Sequence, residues 1–169
     1  MKKLLAGVFL VILLLSFVSC KKTPKNAVVG SEAPDIVLGT SGGGTWRLSN
    51  ERGSVVVINF WATWCPSCRE EMPSLQRLYE MKKSDASFKI VTVLFKDTPE
   101  NAEAYMKENG FTLPVMIDPL KKAALVYGLT GVPETYIVDK KGILREKIIG
   151  PVEFDSPEAI KFFDTLLKE

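Results

Sequence analysis

Histidine is absent from the 169-residue chain, and cysteine occurs only three times. Without histidine there is no Ser-His-Asp triad, no Cys-His nucleophile pair and no imidazole-ligated metal. A closed zinc site takes four Cys or His ligands, which three cysteines cannot supply. A surplus of positive charge is also missing. The formal net charge is +2, and the basic residues are spread along the chain, so no nucleic-acid footprint exists. Gly42-Gly43-Gly44 lacks the Lys-Ser/Thr ending of a phosphate-binding loop and reads as a plain loop. No internal repeat and no second domain are legible. What remains is a chain long enough for one domain with a sizeable core.

Part of the 46% apolar content lies in the first 18 residues. Lys2 and Lys3 precede an almost wholly apolar run, Leu4 to Val18. That run falls short of the roughly 20 residues of a spanning helix and suits the core of an export signal. It ends in Ser16-Phe17-Val18-Ser19-Cys20, which resembles a bacterial lipoprotein signal, with Phe17 where that pattern has an aliphatic residue. Residues 1–19 are therefore read as a signal peptide. Residues 20–30 are read as a lipidated Cys20 and a polar tether, and residues 31–169 as the globular domain. An uncleaved anchor and an ordinary cleaved signal are the alternatives. All three place the domain outside the cytoplasm, bacterial-lipoprotein fashion in the first case, where disulfides persist.

The two other cysteines form Trp64-Cys65-Pro66-Ser67-Cys68, directly after the apolar run Val55 to Trp61. Such a run suits a strand buried on both faces. A helical pattern follows in Met72, Leu75, Leu78 and Tyr79, interrupted by Pro73, which predicts a kink. The pair thus occupies a strand-to-helix junction. A helix N-terminus has unpaired N–H groups and positive polarity, which stabilise the thiolate that attacks disulfides. Cys65 is expected at the exposed first turn as nucleophile. Cys68, one turn further in, is expected to resolve the mixed disulfide. Pro66 is preset for the first helical turn. Cys68 is followed by Arg69, so the pair is not a c-type haem attachment site.

The remaining elements are a hairpin around Gly39 to Gly44 and a strand over Phe88 to Phe95. A helix opens at Thr98-Pro99, with Ala102, Tyr105 and Met106 inward. A short extended piece (Leu113 to Ile117) and a short helix (Lys122 to Tyr127) come next. Gly131-Val132-Pro133-Glu134-Thr135 then runs into a strand ending near Asp139, with an antiparallel partner over Ile143 to Ile149. Ser156-Pro157 opens a last helix with Ile160, Phe163 and Leu167 inward. Alternating β and α elements closed by a hairpin indicate an α/β domain, a mixed central sheet flanked by helices.

These residues together resemble a thioredoxin-like fold with an extra N-terminal β-hairpin. The resemblance rests on Trp61 to Cys68 after a buried strand, Pro73 five residues past the second cysteine, and Val132-Pro133 before a strand. It is similar in particular to the membrane-tethered TlpA/ResA-like thiol–disulfide oxidoreductases. That likeness rests on Gly30 to Asp35, the hairpin, Asn59 and Arg69-Glu70-Glu71-Met72-Pro73. Gly131 to Thr135 is similar to the cytochrome c maturation members. The likeness covers roughly residues 30–168.

The resemblance implies a redox-active Cys65–Cys68 disulfide with no other cofactor and no metal. It implies a cis Pro133, with Val132 offering its backbone to a client chain; a plain turn is the alternative. Trp64 and Pro66 would shape the surface a client meets. Glu71, one turn after Cys68, would move protons for the resolving thiol, or else is a solvated carboxylate. Glu134 is a substrate-facing residue or a strand-end surface acid. Asn59 stands where thioredoxin has a buried aspartate and cannot relay protons as a carboxylate does.

The function implied is reduction of disulfides in client proteins, apocytochrome c among them. Electrons would come from a membrane thiol transporter, since no nicotinamide or flavin motif is present. Two other readings stay open. One is a thiol peroxidase of the peroxiredoxin class, which shares the Ala33-Pro34-Asp35 entry but places Thr or Ser three residues before its cysteine, where Thr63 lies two before. The other is a non-catalytic binding module with an inert disulfide.

Overall fold

A computed structural model describes residues 26–169; the leader, Cys20 and the first part of the tether lie outside the described residues. Seven strands form one sheet in the order β2-β1-β5-β4-β3-β6-β7. They are β1 (Val37–Thr40), β2 (Thr45–Arg47), β3 (Val55–Trp61), β4 (Phe88–Leu94), β5 (Val115–Ile117), β6 (Glu134–Val138) and β7 (Leu144–Ile149). The helices are α1 (Pro66–Lys82), α2 (Pro99–Asn109), α3 (Lys122–Val126) and α4 (Pro157–Lys168). The fold is thioredoxin-like, with the mixed sheet and extra hairpin expected from the sequence.

β3 lies at the centre, parallel to β4 and antiparallel to β6. All seven of its residues are buried, which is why its sequence is a nearly unbroken apolar run. Successive side chains alternate between faces. Val55, Val57 and Trp61 pack with Met72, Leu75 and Leu78 of α1 and with Phe163 and Leu166 of α4. Val56, Ile58 and Phe60 pack with Tyr136, Tyr127 and Ala124 on the other face. There Tyr136 stands edge-on to Tyr127 (centroids 4.7 Å) and to Phe60 (5.8 Å), each pair adding about 0.5–1.5 kcal/mol beyond its buried area.

The helix starts follow their caps. Thr98 and Ser156 accept the N–H groups of Asn101 and Ala159, and each is followed by proline at the first helical position. α1 continues through Pro73. In α4 the fully buried positions are Phe163 and Leu166, not the expected Ile160 and Leu167, which are half-buried; the buried stripe is rotated by about one residue. Near the N-terminal end, Gly30 N–H donates to Leu144 O (2.7 Å), Leu144 N–H to Ser31 O (2.9 Å) and Ala33 N–H to Gly142 O (2.9 Å). The incoming chain thereby covers the start of edge strand β7.

Candidate active site

β3 delivers the chain to the cysteines. After Trp61, a turn over Ala62 to Cys65 is closed by the Cys65 N–H on Ala62 O (3.3 Å), and α1 begins at Pro66. Cys65 is the N-cap: its sulfur accepts the Cys68 N–H at 3.2 Å. A thiolate there is stabilised by that N–H and by the helix dipole. No acidic residue in the first turn opposes it. Cys65 and Cys68 form a disulfide with Cα atoms 5.3 Å apart.

Across from Cys65 the Val132–Pro133 peptide is cis, and Cys65 Sγ lies 3.4 Å from Val132 O. Cys68 is fully buried, but Cys65 is only 3% exposed, less than a first-turn nucleophile was expected to be. The loop before Pro133 covers it. Trp64 is 56% exposed and beside it Pro66 is exposed, so both stand at the surface around the disulfide. Glu70 and Glu71, adjacent in sequence, part company: Glu70 is exposed and Glu71 buried.

Glu71 sits under α1, on the face shared with Asn59 and Thr135. Asn59 Nδ2 donates to Glu71 Oε1 (2.7 Å) and to Thr135 Oγ1 (2.9 Å). The Val152 N–H donates to Glu71 Oε2 (3.1 Å). No cation pairs with it among the described ion pairs. Burial pushes its carboxyl up to about 7, moderated by the Asn59 and Val152 hydrogen bonds. Such a group can accept and release a proton near neutral pH. It also lines an open pocket with Glu70, Pro73, Arg77, Pro151 and Glu153. The solvated-carboxylate alternative therefore does not describe Glu71.

Glu134 lies on the opposite face and is also buried. It is neither a surface acid nor open to a substrate, the two positions expected from the sequence. Its Oε1 accepts the N–H groups of Thr130 (2.8 Å) and Gly131 (3.2 Å) and the Thr130 hydroxyl. Oε2 accepts the Tyr136 hydroxyl (2.6 Å) and pairs with Lys147 Nζ at 3.3 Å. Burial works against its charge, but the Thr130 and Tyr136 hydrogen bonds, with Lys147, hold its carboxyl below the usual range. Glu134 is thus the internal fastening of the loop that carries Val132. The displacement has a simple cause: as the first residue of β6 it shares the inward face of Tyr136.

Sequence reasoning missed three contributors. Thr135 follows Pro133 by two and closes the Asn59–Glu71 contact. Lys147 neutralises Glu134 from β7. Asp97 accepts the Thr63 N–H (2.7 Å) and hydroxyl (2.6 Å). All three depend on strand register or on a loop meeting a loop, and no local pattern marks them. Among the described residues no group of three or more His, Cys, Asp or Glu could hold a metal ion, and no helix is long and apolar enough to cross a membrane.

A helix-capping cysteine pair, a cis-proline loop against its sulfur and a central parallel strand pair define a thioredoxin-like thiol–disulfide site. Residues 29–147 match the model of the AhpC/TSA family. The chain is 37% identical over 129 residues to the thiol-disulfide oxidoreductase ResA of Geobacillus thermodenitrificans, covering 76% of this chain and 74% of that protein. It is 33% identical over 153 residues to the thiol:disulfide interchange protein DsbE of Allochromatium vinosum, covering 87% and 82%. Among solved structures it is similar to a thiol:disulfide interchange protein of the thioredoxin family from Chlorobium tepidum. That match has TM-score 0.66 and 28% identity and covers 83% of this chain and 96% of that one. The chain belongs to the AhpC/TSA family, and within it is a thiol–disulfide oxidoreductase of the ResA/DsbE type.

Proposed function

We propose that this oxidoreductase works outside the cytoplasm, tethered to a membrane through its N-terminal segment, and reduces disulfides in client proteins. Apocytochrome c before haem attachment is the client class the sequence favours, and a membrane thiol transporter the electron source. The observation that carries the reductase reading is the placement of Cys65 Sγ, 3.2 Å from the Cys68 N–H and 3.4 Å from Val132 O. One contact favours a thiolate; the other sets the sulfur beside a backbone edge where an extended client can pair.

In the reduced protein the Cys65 thiolate attacks a client disulfide. One client sulfur bonds to Cys65, and the other leaves as a thiolate that takes a proton. Glu71, unprotonated above about 7, takes the Cys68 proton, directly or through water. The Cys68 sulfur then attacks Cys65 Sγ, and the second client thiolate departs and is protonated. Two electrons have moved to the client, and the Cys65–Cys68 disulfide remains for the electron donor to reduce.

The test is insulin reduction with dithiothreitol, with Cys65→Ser as control, and capture of mixed disulfides by Cys68→Ala. Activity that survives Cys65→Ser, or a trap that captures no protein partner, would overturn the reading. Equal rates for wild type and Cys65→Ser would leave the inert-disulfide module instead. The peroxidase reading draws on the family match, but the Thr63 hydroxyl is bonded to Asp97 and so is committed away from the thiol. Rapid peroxide consumption by the reduced protein would revive it.

A further inference from the structure

The turn that presents Cys65 is held from outside its own segment. Its two central residues, Thr63 and Trp64, each reach the loop between β4 and α2. Thr63 gives its N–H and hydroxyl to Asp97 Oδ2, at 2.7 and 2.6 Å. Trp64 gives its indole N–H to Lys96 O at 3.0 Å. Asp97 is itself fixed: its Oδ1 accepts the Thr98 N–H (2.8 Å) and Asn101 Nδ2 (2.9 Å) from the start of α2. Lys96, whose carbonyl makes the second contact, has left-handed backbone at φ 51°, a conformation that persists in a non-glycine residue only where surrounding contacts impose it.

We propose that Asp97 is a positioning residue for the nucleophile, clamping the Thr63–Trp64 turn so that the Cys65 sulfur stays on the Cys68 N–H and against Val132. The proposal extends the exchange reading to a loop that reading does not use. Charge alone does not explain an aspartate here, because an anion beside a cysteine that must ionise works against the thiolate. Geometry does: one carboxylate closes four hydrogen bonds, and both central residues of the nucleophile's turn depend on this loop. Burial opposes the Asp97 charge, but the Thr63, Asn101 and Thr98 bonds hold its carboxyl below the usual range, so these bonds are charge-assisted.

The two explanations predict opposite signs. Removing an anion by itself lowers the Cys65 thiol pKa. Releasing the turn takes Cys65 off the Cys68 N–H and raises it. The pH dependence of Cys65 alkylation by iodoacetamide, in a Cys68→Ala background, reads this directly. It needs no protein client, so its outcome is independent of the exchange reading.

Asp97→Ala is expected to raise the Cys65 pKa and to slow single-turnover insulin reduction about ten-fold, within the reach of small misplacements of a reacting group. Thr63→Val, which keeps the N–H but loses the hydroxyl, is expected to slow it about three-fold. Thr63→Ser, which keeps both donors, is expected to stay within about two-fold of wild type. Asp97→Ala with Thr63→Val should be no slower than Asp97→Ala alone. A lowered Cys65 pKa in Asp97→Ala, unchanged rates, or equal losses in Thr63→Ser and Thr63→Val would overturn the proposal. Thr63→Val keeps it open to refutation if Asp97→Ala fails to fold.

Discussion

Two glutamates are buried on opposite faces of one sheet, one in the helix that carries Cys68 and the other just past the Val132 carbonyl that touches Cys65, and their surroundings drive them apart. Glu71 has only uncharged donors, an asparagine amide and one backbone N–H, and its carboxyl rises to about 7. Glu134 has two backbone N–H groups, two hydroxyls and a lysine, and its carboxyl is held below the usual range. The first is a group left free to change protonation. The second is a permanent anion, and its charge is structural. Burial alone does not make a carboxylate reactive; the donors left off it do.

The sharpest way to break this comparison is truncation. Glu134→Ala leaves the Thr130 and Gly131 N–H groups without their acceptor, and the Tyr136 hydroxyl with Tyr127 O alone. It is expected to lower unfolding free energy by about 3–5 kcal/mol in urea titrations. The same change at Glu71 is expected to cost far less at pH 8, where the native state already strains to hold a charge. Equal losses would end the distinction.

Next in size is pH. The Glu71 carboxyl titrates at about 7 in the folded chain against 4.5 as its ordinary value. The native state therefore holds the extra proton between those values, and stability falls as pH rises through that window. The fall from Glu71 is at most about 3 kcal/mol. Glu71→Gln should remove that component, seen as a flatter stability–pH curve above 4.5. A Glu71→Gln curve parallel to wild type would place the carboxyl elsewhere.

Glu71→Gln should also slow resolution of the Cys65 mixed disulfide about 10²-fold at pH 8, the lower end of general acid–base effects. The wild-type rate should rise with pH around 7, and the variant's should lose that inflection; stopped-flow mixed-disulfide decay measures both. The smallest expected effect is Lys147→Met, which strips Glu134 of its cation but leaves its neutral donors. About 1 kcal/mol or less should be lost, since the lysine is partly exposed.

The sequence made some parts of this plain and hid others for physical reasons. β3 and the Thr98-Pro99 and Ser156-Pro157 helix starts are local signals, set by burial on both faces or by a cap and a proline. The cysteine pair was legible because a motif confined to a few residues carries it, and the cis bond at Pro133 was legible only through the family resemblance. Glu134 was placed wrongly because its environment comes from strand parity and from Thr130 and Lys147. Thr135 and Asp97 went unseen because each acts on a residue 34 or more positions away, and Lys147 because it reaches Glu134 from the neighbouring strand. The shift of the α4 stripe reflects a helix whose Phe162 and Leu167 also pack partly against the core, so the inner face is wider than one line of residues.

The entry of the chain along β7 has a consequence for reach. Leu144 pairs with Val138, and Ile149 with Glu134, so the residues gripped by Gly30 and Ala33 lie at the end of the sheet away from the disulfide. The six residues of β7 span about 20 Å. Gly30, where the chain joins the sheet, is therefore separated by about that strand's length from the end of the sheet at which Cys65 follows β3. A client that reaches the disulfide thus meets the face of the domain opposite the point where the chain enters it.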